Sequence, residues 1–251
     1  MFRNNYDHDV SIWSPEGRLY QVEFAMEAVK MGALSVGIKN ANEAVLVSVK
    51  RSSTDLSVYQ RKIVEIDPLV GISFSGLTAD AKLLARFLRV ECLSYRYGHD
   101  TCMPIERLAE VLGRKMHAAT QMYNTRPYGV GILLAGWDPL GPHIYEFGPT
   151  GNFLDCKAMA IGGRCQSART YLERNMNLFK ECDRDEIIRH GVRALQSTLP
   201  RDTLLSNMNV AIGVVQQLNP FTILNDEVYD YINSIDGEEH RPDPGCGDRN
   251  I

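Results

Sequence analysis

The stretch SPEGRLYQVEFAMEAVKMG, residues 14–32, decides how the rest of the chain is read. At 100° per residue, Leu19, Val22, Met26 and Val29 fall on one side of a helix, while Tyr20, Phe24, Ala28 and Met31 fall nearly opposite. Glu23, Glu27 and Lys30 occupy the strip between them. A helix with two apolar faces buries only one against its own domain, so the second requires a cover from elsewhere. Ser14, Pro15 and Gly17 stand at the first, second and fourth places of a type I turn, which would aim this helix.

Downstream, ALSVGI (33–38) and AVLVSV (44–49) pair around an Asn-containing turn, and IVEI (63–66) and VGISFS (70–75) pair around Asp67-Pro68. Thr78 is expected to cap a helix that carries Ala81, Leu84, Leu88, Cys92 and Tyr95 on one face. A second helix from Pro104 carries Ile105, Leu108, Leu112, Met116, Ala119 and Tyr123 on one stripe. The pattern then repeats, with strands near 129–136, 143–147 and 157–161, helices near 166–179 and 184–198, and strands near 209–216 and 221–224. Asp183 and Glu186 have the spacing of a capping box. Strand runs separated by helix pairs argue against a parallel, doubly wound sheet. Strands such as VGILLAG are apolar on both faces and need cover on both, whereas the helices are apolar on one. The arrangement that satisfies both is α+β: two antiparallel sheets packed on each other with helices outside each, a four-layer α-β-β-α sandwich.

The chain has 251 residues, 44% of them apolar, which suits one large domain. Residues 1–235 are expected to form it, with a flexible acidic tail over 236–251. That tail has five acids against Arg241 and Arg249, hence −3 of the formal −4, so the body is near neutral. Nucleic-acid binding through bulk charge is not expected. The longest strongly apolar run, Tyr128–Trp137, is about half of what a membrane-spanning helix needs, and no membrane contact is expected. The start Met1-Phe2-Arg3-Asn4-Asn5 has no signal-peptide core, pointing to the cytoplasm and nucleus. The six cysteines form no C-x-x-C pair, and the histidines complete no zinc spacing, so no metal and no cofactor are expected.

Candidate sites compete with structural roles. IGGRCQSA (161–168) leads from strand to helix, where a backbone anion site is conceivable, but it lacks the P-loop Lys-Ser/Thr and reads as a tight turn. RPYG (126–129) is either a ligand contact or a stiff approach to a strand, with Arg126 paired locally. Neither Gly-x-Ser-x-Gly nor His-Glu-x-x-His occurs.

Five segments in order, YDHDVSIWSPEGRLYQVEFAMEAVKMG (6–32), GLTADAKLL (76–84), RPYGVGILLAG (126–136), GPHIYEFGPTGN (141–152) and SARTYLER (167–174), resemble those of proteasome α subunits. The resemblance covers about residues 4–235. It implies a sandwich like that of N-terminal nucleophile hydrolases, assembled with neighbouring α subunits into a seven-membered ring against the β-ring subunits. Residues 1–32 would supply a gate segment and a helix over the cleft. In the family's β subunits an N-terminal threonine attacks the substrate, its own amine serving as base. The corresponding junction here is Gly32-Ala33, and Ala33 has no hydroxyl. The resemblance therefore implies a non-catalytic subunit with no catalytic residues, which gates ATP- and ubiquitin-dependent protein degradation in a threonine protease complex. The alternative is an active N-terminal-nucleophile peptidase.

Two sets of residues carry over. Tyr6, Asp7 and Pro15 match the cluster in which neighbouring N-terminal segments order one another when the pore opens. Phe24 stands where the family usually has Tyr, without the phenol's hydrogen bond. Lys62 matches the lysine that lines pockets between α subunits and receives the C-terminal carboxylate of regulatory-particle ATPases or other activators. Without the resemblance, Lys62 reads as an exposed strand-edge lysine.

Overall fold

Apolar strands in sequence-local pairs form two antiparallel five-stranded sheets. The structure is a computed structural model and describes residues 6–52, 56–199, 205–206, 208–217, 219–224 and 231–232. The tail 236–251 lies outside these residues. The first helix, α1 (Tyr20–Lys30), precedes the hairpin of β1 (Ser35–Lys39) and β2 (Glu43–Val49) and the hairpin of β3 (Ile63–Asp67) and β4 (Val70–Gly76). Then come α2 (Thr78–His99), α3 (Ile105–Gln121), β5 (Val130–Asp138), β6 (Gly141–Phe147), β7 (Phe153–Asp155) and β8 (Ala158–Ile161). The last elements are α4 (Cys165–Asn175), α5 (Arg184–Gln196), β9 (Val210–Gln216) and β10 (Thr222–Leu224). One sheet runs β10-β9-β2-β1-β8 and the other β3-β4-β5-β6-β7.

Side-chain alternation sorts the core into three layers. Val36, Ile38, Val45, Val47 and Ile212 of the first sheet pack against Leu172 of α4 and Ile187, Ile188, Val192 and Leu195 of α5. Ile72, Phe74, Ile132 and Leu134 of the second pack against Leu84 and Leu88 of α2 and Leu108 and Leu112 of α3. Between the sheets lie Leu46, Ile63, Leu133, Ile144 and Val215. This is the α-β-β-α sandwich that the strand patterning called for, and each fully buried Leu or Ile contributes about 1.5–3 kcal/mol relative to exposure. Three serines also enter the middle layer. Ser35 and Ser48 are cross-strand partners in the first sheet, and Ser73 of the second donates to Ser35 Oγ at 2.8 Å and lies 3.1 Å from Ser48 Oγ.

The capping box at Asp183 is present, with Glu186 accepting from the Asp183 N–H. Several boundaries differ from the expectations. Thr78 is the first residue of α2 rather than its cap, which is Leu77, and its hydroxyl instead accepts from Gln60. Helix α3 stops at Gln121 because the Thr125 hydroxyl donates to the Ala119 and Met122 carbonyls, leaving Tyr123 outside the helix and exposed. Helix α4 ends at Asn175 instead of 179, and the turns that follow fold Phe179 back against His190, ring centroids 5.3 Å apart. The short strand β7 sits in a turn-rich stretch with too few residues to show alternation.

Arg126 of the RPYG segment pairs locally, donating to the Pro127 carbonyl at 3.2 Å, and also across the fold. Its guanidinium donates twice to Asp80 on α2, at 2.6 and 2.7 Å, and the Gly129 N–H donates to the same carboxylate at 3.0 Å. Arg126 foremost, helped by Gly129 and opposed by burial, holds the Asp80 carboxyl below its usual range. Such a carboxylate stabilises the fold above its unfolded value of about 3.9, and the contribution is lost as pH falls through the depressed folded value. Asp80→Asn should therefore cost about 1.5–3 kcal/mol at neutral pH, nearer the lower bound because Arg126 is largely exposed. Urea unfolding across a pH series should show this difference shrinking below about pH 4; a difference that stays constant into acid would contradict the assignment.

Candidate functional site

Where the two sheets part at the start of β1, α1 lies across the opening. Its buried sector is Val22 and Ala25, flanked by half-buried Val29, Ala28 and Gln21, a rotation of the expected face that leaves Met26 partly exposed. The cause is a floor with few side chains. A Cβ on Gly131 of β5 would come 2.8 Å from Val29, and one on Gly129 would come 3.6 Å from Ala28. The helix rests where the missing side chain of Gly131 lets Val29 approach the sheet. The Ser75 hydroxyl of β4 donates to the Val29 carbonyl at 3.0 Å and fixes the end of the helix.

The junction behind α1 is as tight. A Cβ on Gly32 would stand 2.1 Å from Ser75 Oγ and 2.2 Å from the Gly76 nitrogen. The Gly163 N–H donates to the Gly32 carbonyl at 3.0 Å. The IGGRCQSA loop is thus the structural turn that clasps this junction, with Gly162 at φ +107° against the Ala33 carbonyl. Ala33 itself is 2% exposed. The Ser75 hydroxyl beside the junction is donated to the Val29 carbonyl, and the next hydroxyls along the sheets, those of Ser35, Ser48 and Ser73, are fully buried and bonded to one another, with no basic group in the chain they form. Deprotonating a serine needs a base within reach, and these three hydroxyls have only each other.

The second apolar face of α1 is uncovered, with Phe24 52% and Met31 80% exposed. Phe24 stacks on Tyr20 at 6.3 Å, and Arg18 lies over the Tyr20 ring while forking onto Glu23 at 2.6 and 2.8 Å. The turn before the helix closes as expected, the Gly17 N–H donating to the Ser14 carbonyl at 2.9 Å, with Pro15 exposed at its crest. Ser14 is buried, and its hydroxyl accepts from the Arg18 N–H at 3.0 Å. Upstream, the Gln21 amide of α1 donates to the Asp7 carbonyl, and Tyr6 is partly exposed. Pro15 and Phe24 therefore flank the start of α1, and Asp7 is bound to it. Lys62 belongs to a different place.

Lys62 is 3% exposed, a correction to its reading as an exposed strand-edge lysine. It precedes β3 and faces the helix side of the sheet with its strand neighbour Phe74, its ammonium 4.9 Å from that ring's centroid. Burial, and then the nearby Arg51 charge, lowers its affinity for a proton. Among the described residues no carboxylate forms an ion pair with it. A desolvated ammonium without a counter-ion costs free energy that an incoming anion would recover.

Sequence reading missed the glycine floor and the Gln21 contact. The first had a signal, the spacing of glycines in YGVG; the second joins residues 14 apart through a side chain and had none. Nor was there one for Asp138, whose carboxylate accepts from the Ile105 N–H at 3.4 Å and so serves the N-terminus of α3 from another strand.

Comparison with known proteins agrees with this geometry. A family model described as proteasome subunit matches residues 29–215, and one for the N-terminal signature of A-type proteasome subunits matches residues 6–28. The chain is 53% identical over 230 residues to the alpha type-1 proteasome subunit of Drosophila melanogaster, covering 90% of this chain and 82% of that one. It is 48% identical over 241 residues to the protein of that name in Dictyostelium discoideum, covering 95% and 97%. For the Caenorhabditis elegans protein of that name the identity is 46% over 236 residues, covering 94% and 91%.

The seat of α1 is testable through Gly32. Gly32→Ala puts a methyl group onto Ser75 and the Gly76 backbone, an overlap of the kind that costs about 1–3 kcal/mol or more. A lowered thermal midpoint is expected, with partial recovery in Gly32→Ala/Ser75→Gly; no loss in the single variant would show that the junction is looser than described.

Proposed function

The chain belongs to the proteasome subunit family and carries its α-type N-terminal signature, and from that premise we propose that it is a non-catalytic α-ring subunit that gates passage into the proteolytic chamber and docks regulators. The observation that carries this reading is α1, held in the opening between the sheets by Ser75, Gly129 and Gly131 in front of a buried Ala33. An N-terminal-nucleophile enzyme needs that opening free and a hydroxyl at its first residue. Here the opening is filled and the residue is alanine.

In this reading the chain's partners are the neighbouring α subunits, the β-ring subunits, and regulatory-particle ATPases or other activators, in the cytoplasm and nucleus. The exposed Phe24 and Met31 supply an apolar surface for the α subunit alongside. Another uncovered surface, Leu83, Val90, Leu93 and Tyr97 on the outer face of α2, suits contact with the β ring. Among the described residues, Asp7 keeps a buried carboxylate oxygen without a hydrogen bond, which a donor from a neighbouring N-terminal segment would satisfy. Tyr6, Pro15 and Phe24 complete that gate cluster, Phe24 by packing alone. Lys62, buried and with no carboxylate paired to it among the described residues, is suited to receive the C-terminal carboxylate of an activator.

Three experiments test this. Threonine-directed electrophiles should leave this chain unlabelled in the assembled particle while its catalytic subunits react; labelling here would overturn the non-catalytic assignment. Phe24→Asp and Met31→Asp should impair incorporation into the ring, since each places a charge in an apolar contact at a cost of several kcal/mol; normal assembly of both would remove α1 from the interface. Lys62→Ala should assemble yet bind an activator peptide more weakly, by about 1.5–3 kcal/mol for a sheltered charge-assisted contact. Because several pockets act together, the affinity must be read at low occupancy. Docking requires the protonated amine, so wild-type affinity should fall as pH rises through the depressed range of Lys62. Equal affinity for both proteins at all pH values would exclude this lysine from docking.

A further inference from the structure

Residues 6–18 fold back against the start of α1 and are held there at three points. Val10 is 2% exposed and anchors the middle of the segment. Ser14 closes the turn, its N–H donating to the Arg18 carbonyl at 2.9 Å and its hydroxyl accepting from the Arg18 N–H. The third point is the only one of these made by a side chain of the helix itself: the Gln21 carboxamide donates to the Asp7 carbonyl. Gln21 occupies the second position of α1, on the flank of the buried sector, and is half-buried.

The consequence for Asp7 is specific. Its carbonyl is satisfied by Gln21, while Oδ1 of its side chain is shielded from solvent and accepts no hydrogen bond among the described residues. The ring of His8 stands 3.6 Å from the same oxygen, beyond hydrogen-bonding distance. A chain free to move would turn this oxygen toward water, because leaving an acceptor buried without a hydrogen bond is unfavourable. The Gln21 contact opposes that turn by holding the backbone of the same residue.

We infer that Gln21 is a positioning residue for the N-terminal segment, fixing Asp7 against α1 so that its carboxylate is presented in one orientation to a donor from a neighbouring chain. This rests on the gating role proposed above and adds a residue to it. Gln21 acts through Asp7.

The test uses the assembled particle carrying Gln21→Met, which keeps the volume and removes the donor, Gln21→Glu, which keeps the shape and sets an acceptor against the carbonyl, and Gln21→Lys, which restores a donor. Two readouts are taken: hydrogen exchange of the peptide spanning residues 2–12, and the ratio of activator-stimulated to basal hydrolysis of a short fluorogenic peptide. Loss of one hydrogen bond should speed exchange and lower the ratio by about two- to tenfold in the Met and Glu variants, with recovery in the Lys variant. Should the Met variant fail to enter the particle, the Glu variant alone decides. Unchanged exchange in an incorporated Met or Glu variant overturns the inference. So does loss of incorporation with an unchanged ratio in whatever particles form, since that is a folding role. A particle lacking residues 1–8 separates the two readings. If its ratio equals that of wild type, the gating role fails even where Gln21→Met speeds exchange; if its ratio changes while that of Gln21→Met does not, gating stands and the role of Gln21 falls.

Discussion

The approach of one helix to a floor of glycines sets the geometry on which the rest depends. With a side chain at Gly131, α1 would ride higher over the second sheet, Val29 would lose its place, and the Ser75 hydroxyl would no longer reach the carbonyl that ends the helix. With a side chain at Gly32, the chain could not pass between Ser75 and Gly163 into β1. Packing interactions are individually small and decay within an ångström, so a helix held at this distance is held in one place. That placement turns Phe24 and Met31 outward, brings Gln21 to Asp7, and seals Ala33.

Much of this was legible in the chain because amphipathic periodicity reports burial directly. The stripe Ala81, Leu84, Leu88 and Cys92 faces the core as its spacing indicated, and the Asp183 capping box marks the start of α5. Alternation in the strands, with both faces apolar, led to two stacked sheets. Three kinds of feature escaped. On a regular wheel Met26 shares a side with Val22 and Val29, but the helix buries Val22 and Ala25 and leaves Met26 exposed, resting Val29 on Gly131 far along the chain. Asp80 with Arg126, and Asp138 with Ile105, are pairs brought together by folding and carry no local pattern. Lys62 had the composition of a surface residue, and only the fold showed it desolvated beside Phe74.

The candidate site divides along the same line. The Gly32-Ala33 junction was identified by resemblance to the family, and its meaning then concerns one residue and one missing oxygen. Asp7, Pro15 and Phe24 were identified by resemblance to a motif, and their geometry around the start of α1 explains why such residues lie close together in the chain: they share one short helix end. Lys62 lies on a different element, and its burial distinguishes it from the many exposed lysines with which sequence would group it.

The three serines between the sheets have a consequence of another kind. Stacked apolar sheets attract with little regard to direction, so contact area alone tolerates several offsets of one sheet on the other. Ser73 has a single proton, given to Ser35, so Ser48 must supply the proton in the remaining contact. A slip of one residue along β4 would set a hydroxyl against hydrocarbon and strand the other two. Three oxygen atoms thereby act as a locating pin, selecting one alignment from several of similar hydrophobic energy, and the opening that α1 fills inherits its width from that alignment.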